Sequence, residues 1–401
     1  MKGFHVASPE DIKAGRTTDV YFLRTKKILE AKGMDDVGVV MEATIGPLHP
    51  GHGWGVLCGV EEVARLFEGL PVDVYCMPEG SLFRGEDSQG FRCPVLTVEG
   101  TYHDFCEFET PLLGFICQES AVASRAAYVK LAAGDKPVVA FGIRRIHPSL
   151  APAMDRAAYI GGLDGVSSII GAEACGLEPT GTMPHALMIV FGDQVEAWRA
   201  YDEVVEPESP RIILVDTYYD EKTEAIMAAE ALGERLHGVR LDTPGSRRGS
   251  FPKIVKEVRW ELDLRGYGGV KIFVSGGLNE ETVAELAEAG ADAFGVGTWV
   301  SAAPTLDFAV DIVEVEGVPH AKRGKLGGKK QVWRCRDCLS DIVTPASAAQ
   351  PRCRECGGDT EPMLKPLIKG GRIVASLKTP GEIREYVLSQ LRRLQEEAGE
   401  G

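Results

Sequence analysis

Two glycine-rich stretches of the chain have the composition to grip a phosphate. Ser275-Gly276-Gly277 and Gly295-Val296-Gly297-Thr298 each close or follow a short apolar run. Glycine lets backbone N–H groups approach phosphate oxygens, and a helix start after the turn adds a favourable field. Simple tight turning is the other use of such glycines. Arg144-Arg145 closes a further apolar run, where arginine forks suit phosphate or carboxylate oxygens, or an interdomain ion pair. Asp216 and Asp242 end two more runs and could hold Mg²⁺ or ribose hydroxyls, or cap helices. His185, within Gly181-Thr182-Met183-Pro184-His185, has a structural role as its plainer alternative. As a set, these residues suit an anionic, phosphorylated substrate and a divalent cation.

A second chemistry lies near the C-terminus. Cys335-Arg-Asp-Cys338 and Cys353-Arg-Glu-Cys356 form two CxxC pairs separated by fourteen residues. Each pair can turn two thiolates toward one centre, so the expectation is a closed, structural four-cysteine Zn²⁺ site, with rubredoxin-like iron as the minority case. The other six cysteines are scattered. Lys322, Arg323, Lys325, Lys329, Lys330, Arg334 and Arg336 make the neighbourhood basic. That leaves two uses for the metal: a nucleic-acid-binding ribbon, or a staple for a small domain.

Elements must bring the first group of residues together. Strand-like runs at Pro137–Ile143, Ala186–Phe191, Arg211–Val215, Val239–Leu241, Lys271–Val274 and Ala293–Val296 alternate with amphipathic stretches such as Glu221–Leu236 and Glu280–Ala289. Such alternation predicts right-handed βα units and a parallel sheet. The polar and glycine-rich residues follow the runs, where barrels and open sheets both place chemistry. No GxGxxG fingerprint follows the first run, so an irregular or incomplete α/β barrel is expected over 116–300. Residues 1–115 read as an α+β domain, with a helix over about Thr18–Lys32 and strands near Val72–Tyr75 and Pro94–Val98. A return segment and basic linker over 301–330 would lead to a small zinc-binding domain over 331–401. That domain ends in a surface helix over Thr379–Glu397, with Thr379-Pro380 as N-cap and first turn.

The 401 residues are 44% hydrophobic and 26% charged, ordinary for a globular chain and enough for two or three domains. A net charge of −15 argues against binding nucleic acid as a whole-molecule property. No membrane-length apolar run and no leader-like start are seen, so a cytoplasmic location is expected. Asn279 is the sole asparagine, which fits a heat-adapted source.

Several segments resemble the nicotinate phosphoribosyltransferase family, in the family's order. They are Thr18-Asp19-Val20-Tyr21, Glu109-Thr110-Pro111-Leu112, Phe141 to Arg145, Gly161 to Ser168 with Asp164, Gly181 to His185, Asp216-Thr217-Tyr218, Arg240-Leu241-Asp242 and the two glycine turns. The resemblance implies a type II phosphoribosyltransferase barrel behind an N-terminal α/β domain, with a zinc knuckle of the archaeal-type members. It implies that nicotinate and 5-phosphoribosyl-1-pyrophosphate give nicotinate mononucleotide and pyrophosphate, with Mg²⁺ and with ATP as co-substrate. Tyr21, from a neighbouring subunit of a homodimer, and Phe141 would wall the pyridine ring. Arg240 would meet the nicotinate carboxylate, and Arg144 the phosphoribosyl substrate. Asp216 and Asp242 would handle ribose hydroxyls or Mg²⁺, and His185 would accept phosphate from ATP. Gly276, Gly277, Gly297 and Thr298 would cradle the 5′-phosphate, while Arg145, Asp164, Thr182 and Ser275 complete the implied substrate-binding set. Thr243-Pro244-Gly245 departs from the Ser-Gly-Asp common in relatives, and Met183-Pro184 from more flexible residues. Two alternatives stand beside this one. Quinolinate phosphoribosyltransferase would need a more basic pocket for a second ring carboxylate and would lack the ATP step. A non-catalytic regulator would bind nucleic acid through the cysteine ribbon.

Overall fold

The computed structural model describes residues 3–399. The chain divides into two compact units, Met1–Ser124 with Pro304–Gly401, and Arg125–Ala303.

The second unit is built on six parallel strands in the order Gly165–Val166, Val138–Ala140, Ala293–Val296, Lys271–Ser275, Gly238–Leu241, Ile212–Leu214. The last strand in sequence, Ala293–Val296, returns to pair with the first, Val138–Ala140. That return is the closure step of a barrel, and Gly165–Val166 and Ile212–Leu214 are left as unjoined edges. The expected irregular, incomplete α/β barrel is therefore the fold, with one open seam. Short β-branched runs fill its interior: Val139, Ile213, Val239, Val274 and Val296 are buried.

The chain between the two edges contains the one misread run. Ala186–Phe191, expected as a strand, belongs to the helix His185–Phe191. A continuous apolar run of this length does not distinguish strand from buried helix by period. The flanking residues do: Pro184 precedes the first turn, and Gly192 closes the last at φ 75° in the left-handed region. Ile189 and Val190, whose branching suggested a strand, are exposed. The two-residue strand Gly165–Val166 was too short to register as a run. Asn279, the sole asparagine, caps the helix Glu280–Glu288 through reciprocal bonds with Thr282, a place where asparagine is among the best residues.

The first unit carries an antiparallel seven-stranded sheet. Its N-terminal strands Gly38–Ile45, Leu96–Thr101 and Val72–Cys76 are completed by Phe308–Val315 on one side and Lys365–Lys369 on the other. The return segment and much of the C-terminal region thus share the core of the N-terminal α+β fold. A three-stranded sheet of Asp341–Pro345, Lys330–Cys335 and Thr360–Pro362 carries the cysteine pairs. The helix Val20–Lys32 starts at Asp19, and the last helix, Pro380–Gly399, follows a Thr379–Glu382 cap and buries Ile383, Val387 and Leu391. Among the described residues no helix is long and apolar enough to cross a membrane.

Candidate active site

Parallel strands put all their carboxyl ends at one rim, so the loops after them converge. Asp216 follows Ile212–Leu214, Asp242 follows Gly238–Leu241, and Ser275 ends its own strand. Ser275 Oγ donates to Asp242 Oδ1 at 2.8 Å. Asp216 Oδ2 accepts the Asp242 amide at 2.7 Å and the Thr243 hydroxyl at 2.8 Å. Three neighbouring strand ends are thereby joined through two carboxylates. His185 reaches the same group from the seam helix. Its Nδ1 lies 3.1 Å from Thr217 Oγ1, and its Nε2 lies 3.7 Å from Asp216 Oδ1 and 3.9 Å from Asp242 Oδ2.

Burial differs sharply within the group. The Asp216 side chain is 3% exposed and the His185 side chain 39%. Asp216 Oδ1 has no hydrogen-bond donor among the described residues. Burial pushes its carboxyl above the ordinary carboxylate range, against the pull of Thr243 and the Asp242 amide. Arg240 is also buried. Its Nη1 donates to Thr182 Oγ1 at 2.5 Å, its Nη2 stands 3.7 Å from Asp242 Oδ2, and its Nε has no partner among the described residues. Burial lowers its pKa from the usual value, with Asp242 and Asp216 opposing. The guanidinium carbon is 5.9 Å from the centre of the Phe141 ring, which packs 5.8 Å from Phe273. A buried cation with an unsatisfied donor beside an aromatic ring matches a flat, aromatic carboxylate.

The glycine turns complete the rim. Gly276 and Gly277 have φ of 94° and 70°, and a Cβ on Gly276 would sit 3.0 Å from the Asp242 carbonyl oxygen. Only glycine satisfies both the backbone and the approach. Gly295 has a different use: a Cβ there would lie 2.4 Å from Phe141, so its absence makes room for that ring. Gly297 lies beside the Phe141–Arg145 loop, and Ser301 Oγ donates to the Gly142 carbonyl at 2.9 Å. Thr298 is exposed at the start of the short helix Thr298–Ser301. Arg144 and Arg145 are exposed on the turn Ile143–Arg145 and make no hydrogen bond or ion pair among the described residues.

Known proteins of this architecture are the phosphoribosyltransferases. Residues 19–120 match the N-terminal domain, and residues 122–311 the C-terminal domain, of the family described as quinolinate phosphoribosyl transferase. A nicotinate phosphoribosyltransferase of Mycobacterium tuberculosis is 30% identical over 95% of this chain and 91% of its own. The chain belongs to the nicotinate phosphoribosyltransferase family. A solved structure from Pyrococcus furiosus, named a nicotinate-nucleotide pyrophosphorylase, is 56% identical, covers 98% of this chain and 99% of its own, and superposes with a TM-score of 0.94. The human nicotinic acid phosphoribosyltransferase shares the fold at a TM-score of 0.74, covering 94% of this chain and 93% of its own, with 21% identity. The protein is a phosphoribosyltransferase of the pyridine-nucleotide salvage type.

Not every residue that the family resemblance put in the substrate set is at the rim. Asp164 is a correction. Its carboxylate accepts from the Val138 amide at 2.8 Å and from Lys130 Nζ at 3.0 Å. Val138 begins its strand, so Asp164 stands at the amino ends, opposite the chemistry, where it braces the sheet. Tyr21 lies in the other unit, half exposed on the helix Val20–Lys32. Two rim residues escaped the sequence. Glu224, fully buried, accepts the amides of Thr217, Tyr218 and Tyr219 at 3.0, 2.6 and 2.7 Å. Burial pushes its carboxyl up while those three amides pull it down. Arg248 donates to the carbonyls of Thr243 and, at 3.5 Å, Gly276, and stacks 3.7 Å over Phe251. Neither sits in a motif; the available hints were a carboxylate four residues past the Asp220 cap and an arginine pair in a glycine-rich loop.

In the first unit, the Sγ atoms of Cys335, Cys338, Cys353 and Cys356 all lie within 4.8 Å of one another. The contacts Cys335–Cys356 and Cys338–Cys353 are 3.4 and 3.5 Å, close to the edge of roughly 3.8 Å that a tetrahedron with Zn–S bonds of about 2.3 Å requires. The four thiols can hold a metal. The neighbouring cations are occupied within the unit. Lys322 and Lys325 pair with Asp311, Lys329 with Glu99, Lys330 with Glu42, and the buried Arg334 with Asp341.

Proposed function

We propose that this chain joins nicotinate to the ribose of 5-phosphoribosyl-1-pyrophosphate, releasing pyrophosphate and forming nicotinate mononucleotide. The observation that carries this is Arg240: a buried guanidinium with a free donor, beside the Phe141 ring, on the rim that also holds Asp242 and Gly276-Gly277. In this reaction the pyridine nitrogen forms a bond to the anomeric carbon as the bond to pyrophosphate breaks. The transition state has oxocarbenium character, so catalysis is positioning and charge stabilisation. Arg240 and Phe141 hold the ring, Thr182 holds Arg240, and Asp242 meets the ribose hydroxyls. Arg144, Arg145, Gly276, Gly277, Gly297 and Thr298 take the phosphate groups. Mg²⁺, held with pyrophosphate by Asp242 and the unpartnered Asp216 Oδ1, supplies charge neutralisation when bound. The name of the Pyrococcus furiosus relative describes the same bond exchange from the product side.

His185 is the acceptor for phosphate from ATP in this proposal, since its 39% exposure leaves it reachable. Zinc fills the four-cysteine cluster as a structural ion. Tyr21 supplies the second ring wall to a partner subunit's site in a homodimer. Mixing Tyr21→Ala and His185→Ala protomers would then restore activity that neither has alone.

The deciding experiment incubates the protein with 5-phosphoribosyl-1-pyrophosphate, Mg²⁺ and either nicotinate, nicotinamide or quinolinate, with and without ATP. Mononucleotide from nicotinate, stimulated by ATP, is expected. Product from quinolinate alone would sink the proposal, because one buried arginine suits one ring carboxylate.

A further inference from the structure

We propose that Glu224 is a positioning residue for His185: it seats the Thr217–Tyr219 loop so that Thr217 holds Nδ1 and the ring proton stays on Nε2. The proposal deepens the phosphoryl-acceptor role of His185 and rests on that role only for its activity readout.

The chain of contacts is continuous. Glu224 stands on the helix Glu221–Leu232 with no exposed surface. Its Oε2 accepts the Thr217 amide, and its Oε1 accepts those of Tyr218 and Tyr219. Three successive N–H groups converging on one carboxylate define the path of a loop, as they do in anion-binding nests. Two side chains of that loop then reach the helix that carries His185. Thr217 Oγ1 lies 3.1 Å from His185 Nδ1, and the Tyr218 hydroxyl donates to the Met188 carbonyl at 3.3 Å. On the other edge of the imidazole, Nε2 faces only carboxylate oxygens, those of Asp216 and Asp242. Ionised carboxylates accept and cannot donate, so the neutral ring keeps its proton on Nε2. Nδ1 is then the acceptor, and the Thr217 hydroxyl donates to it. Without the Glu224 anchor nothing in this chain of contacts sets the height of Thr217 against the ring.

Glu224→Gln is a sharp probe because shape is kept and chemistry is not. The amide oxygen can serve one side, but the NH₂ group then meets an N–H donor on the other. Thr217→Val removes the hydroxyl without touching Glu224. The test is ¹⁵N NMR of the full chain labelled at histidine, with His185→Ala identifying the signal. Wild type should show Nε2–H with Nδ1 shifted by an accepted hydrogen bond. Both Glu224→Gln and Thr217→Val should lose that Nδ1 shift and mix the tautomers, and Glu224→Asp should keep part of it. In the mononucleotide assay, Glu224→Gln should lower ATP-stimulated kcat about 10-fold or more while leaving KM for nicotinate within about twofold, since Arg240 and Phe141 are untouched. An unchanged His185 signal in Glu224→Gln, or one that moves in Glu224→Gln but not in Thr217→Val, overturns the proposal. If the signal moves as expected in a protein that makes no mononucleotide, the positioning role stands and the transferase assignment alone fails.

Discussion

The four cysteines and the barrel rim both gather polar side chains, but by opposite routes. The cysteines come from two tight turns twenty-two residues apart end to end, and their ligand atoms face one another with little else in reach. The rim draws His185, Asp216, Asp242, Ser275 and Phe141 from five separate loops, and it leaves Arg240 Nε and Asp216 Oδ1 without hydrogen bonds. A closed cluster of ligands has no open position and stabilises. A buried, unsatisfied acid and base cost stability and are retained where chemistry needs them. The two regions should therefore respond oppositely when altered: one in stability, the other in turnover.

The largest expected effect is at the rim. Arg240→Ala should lower kcat/KM for nicotinate by about three orders of magnitude, about 4 kcal/mol, because it removes the only buried cation beside the ring. Steady-state kinetics together with a melting curve would check it, and a collapse of Tm in place of kcat/KM would break the contrast. Next comes the cluster. Cys335→Ser, or a strong chelator, should lower Tm by roughly 5–10 °C, about 2–4 kcal/mol, with normal turnover per folded molecule. Lost turnover in a still-folded chain would show that the cysteines serve the chemistry. His185→Ala should remove most of the ATP stimulation, about 10-fold, and spare the basal transfer. Equal loss of both would give the histidine a direct substrate contact instead.

The smallest effect carries the most informative sign. Burial raises the Asp216 pKa above its unfolded value, so its contribution to folding is greatest at low pH and is lost as pH rises through the folded value. Asp216→Asn should therefore abolish turnover yet raise stability at neutral pH by about 1 kcal/mol, with no gain at pH 3. Chemical denaturation at both pH values measures it; a neutral-pH loss of stability would mean that the carboxylate is structurally satisfied after all.

Much of the site was legible from residue types at run ends. Asp216, Asp242, Ser275 and the glycine turns lie where strand ends were expected, because a parallel barrel puts every strand's carboxyl end on one side. Asp164 was not legible, since a motif neighbour of a rim residue can cross to the amino ends through a two-residue strand. Glu224 was invisible for another reason: its partners are backbone amides, which no side-chain pattern records. The helix His185–Phe191 was mistaken for a strand because seven apolar residues fit both periods, and only Pro184 and Gly192 separated them.

From sequence alone came whatever depends on near neighbours: the cysteine spacing, the caps at Asn279 and Thr379, the need for glycine at 276, and the alternation that makes a parallel sheet. Those follow from backbone geometry within a few residues. Tertiary structure decided which end of the sheet each residue occupies, that Arg240 is buried with Thr182 on one edge and Phe141 near its face, and that the C-terminal strands complete an N-terminal sheet. Burial and long-range pairing depend on what the rest of the chain brings alongside, and no local pattern contains that.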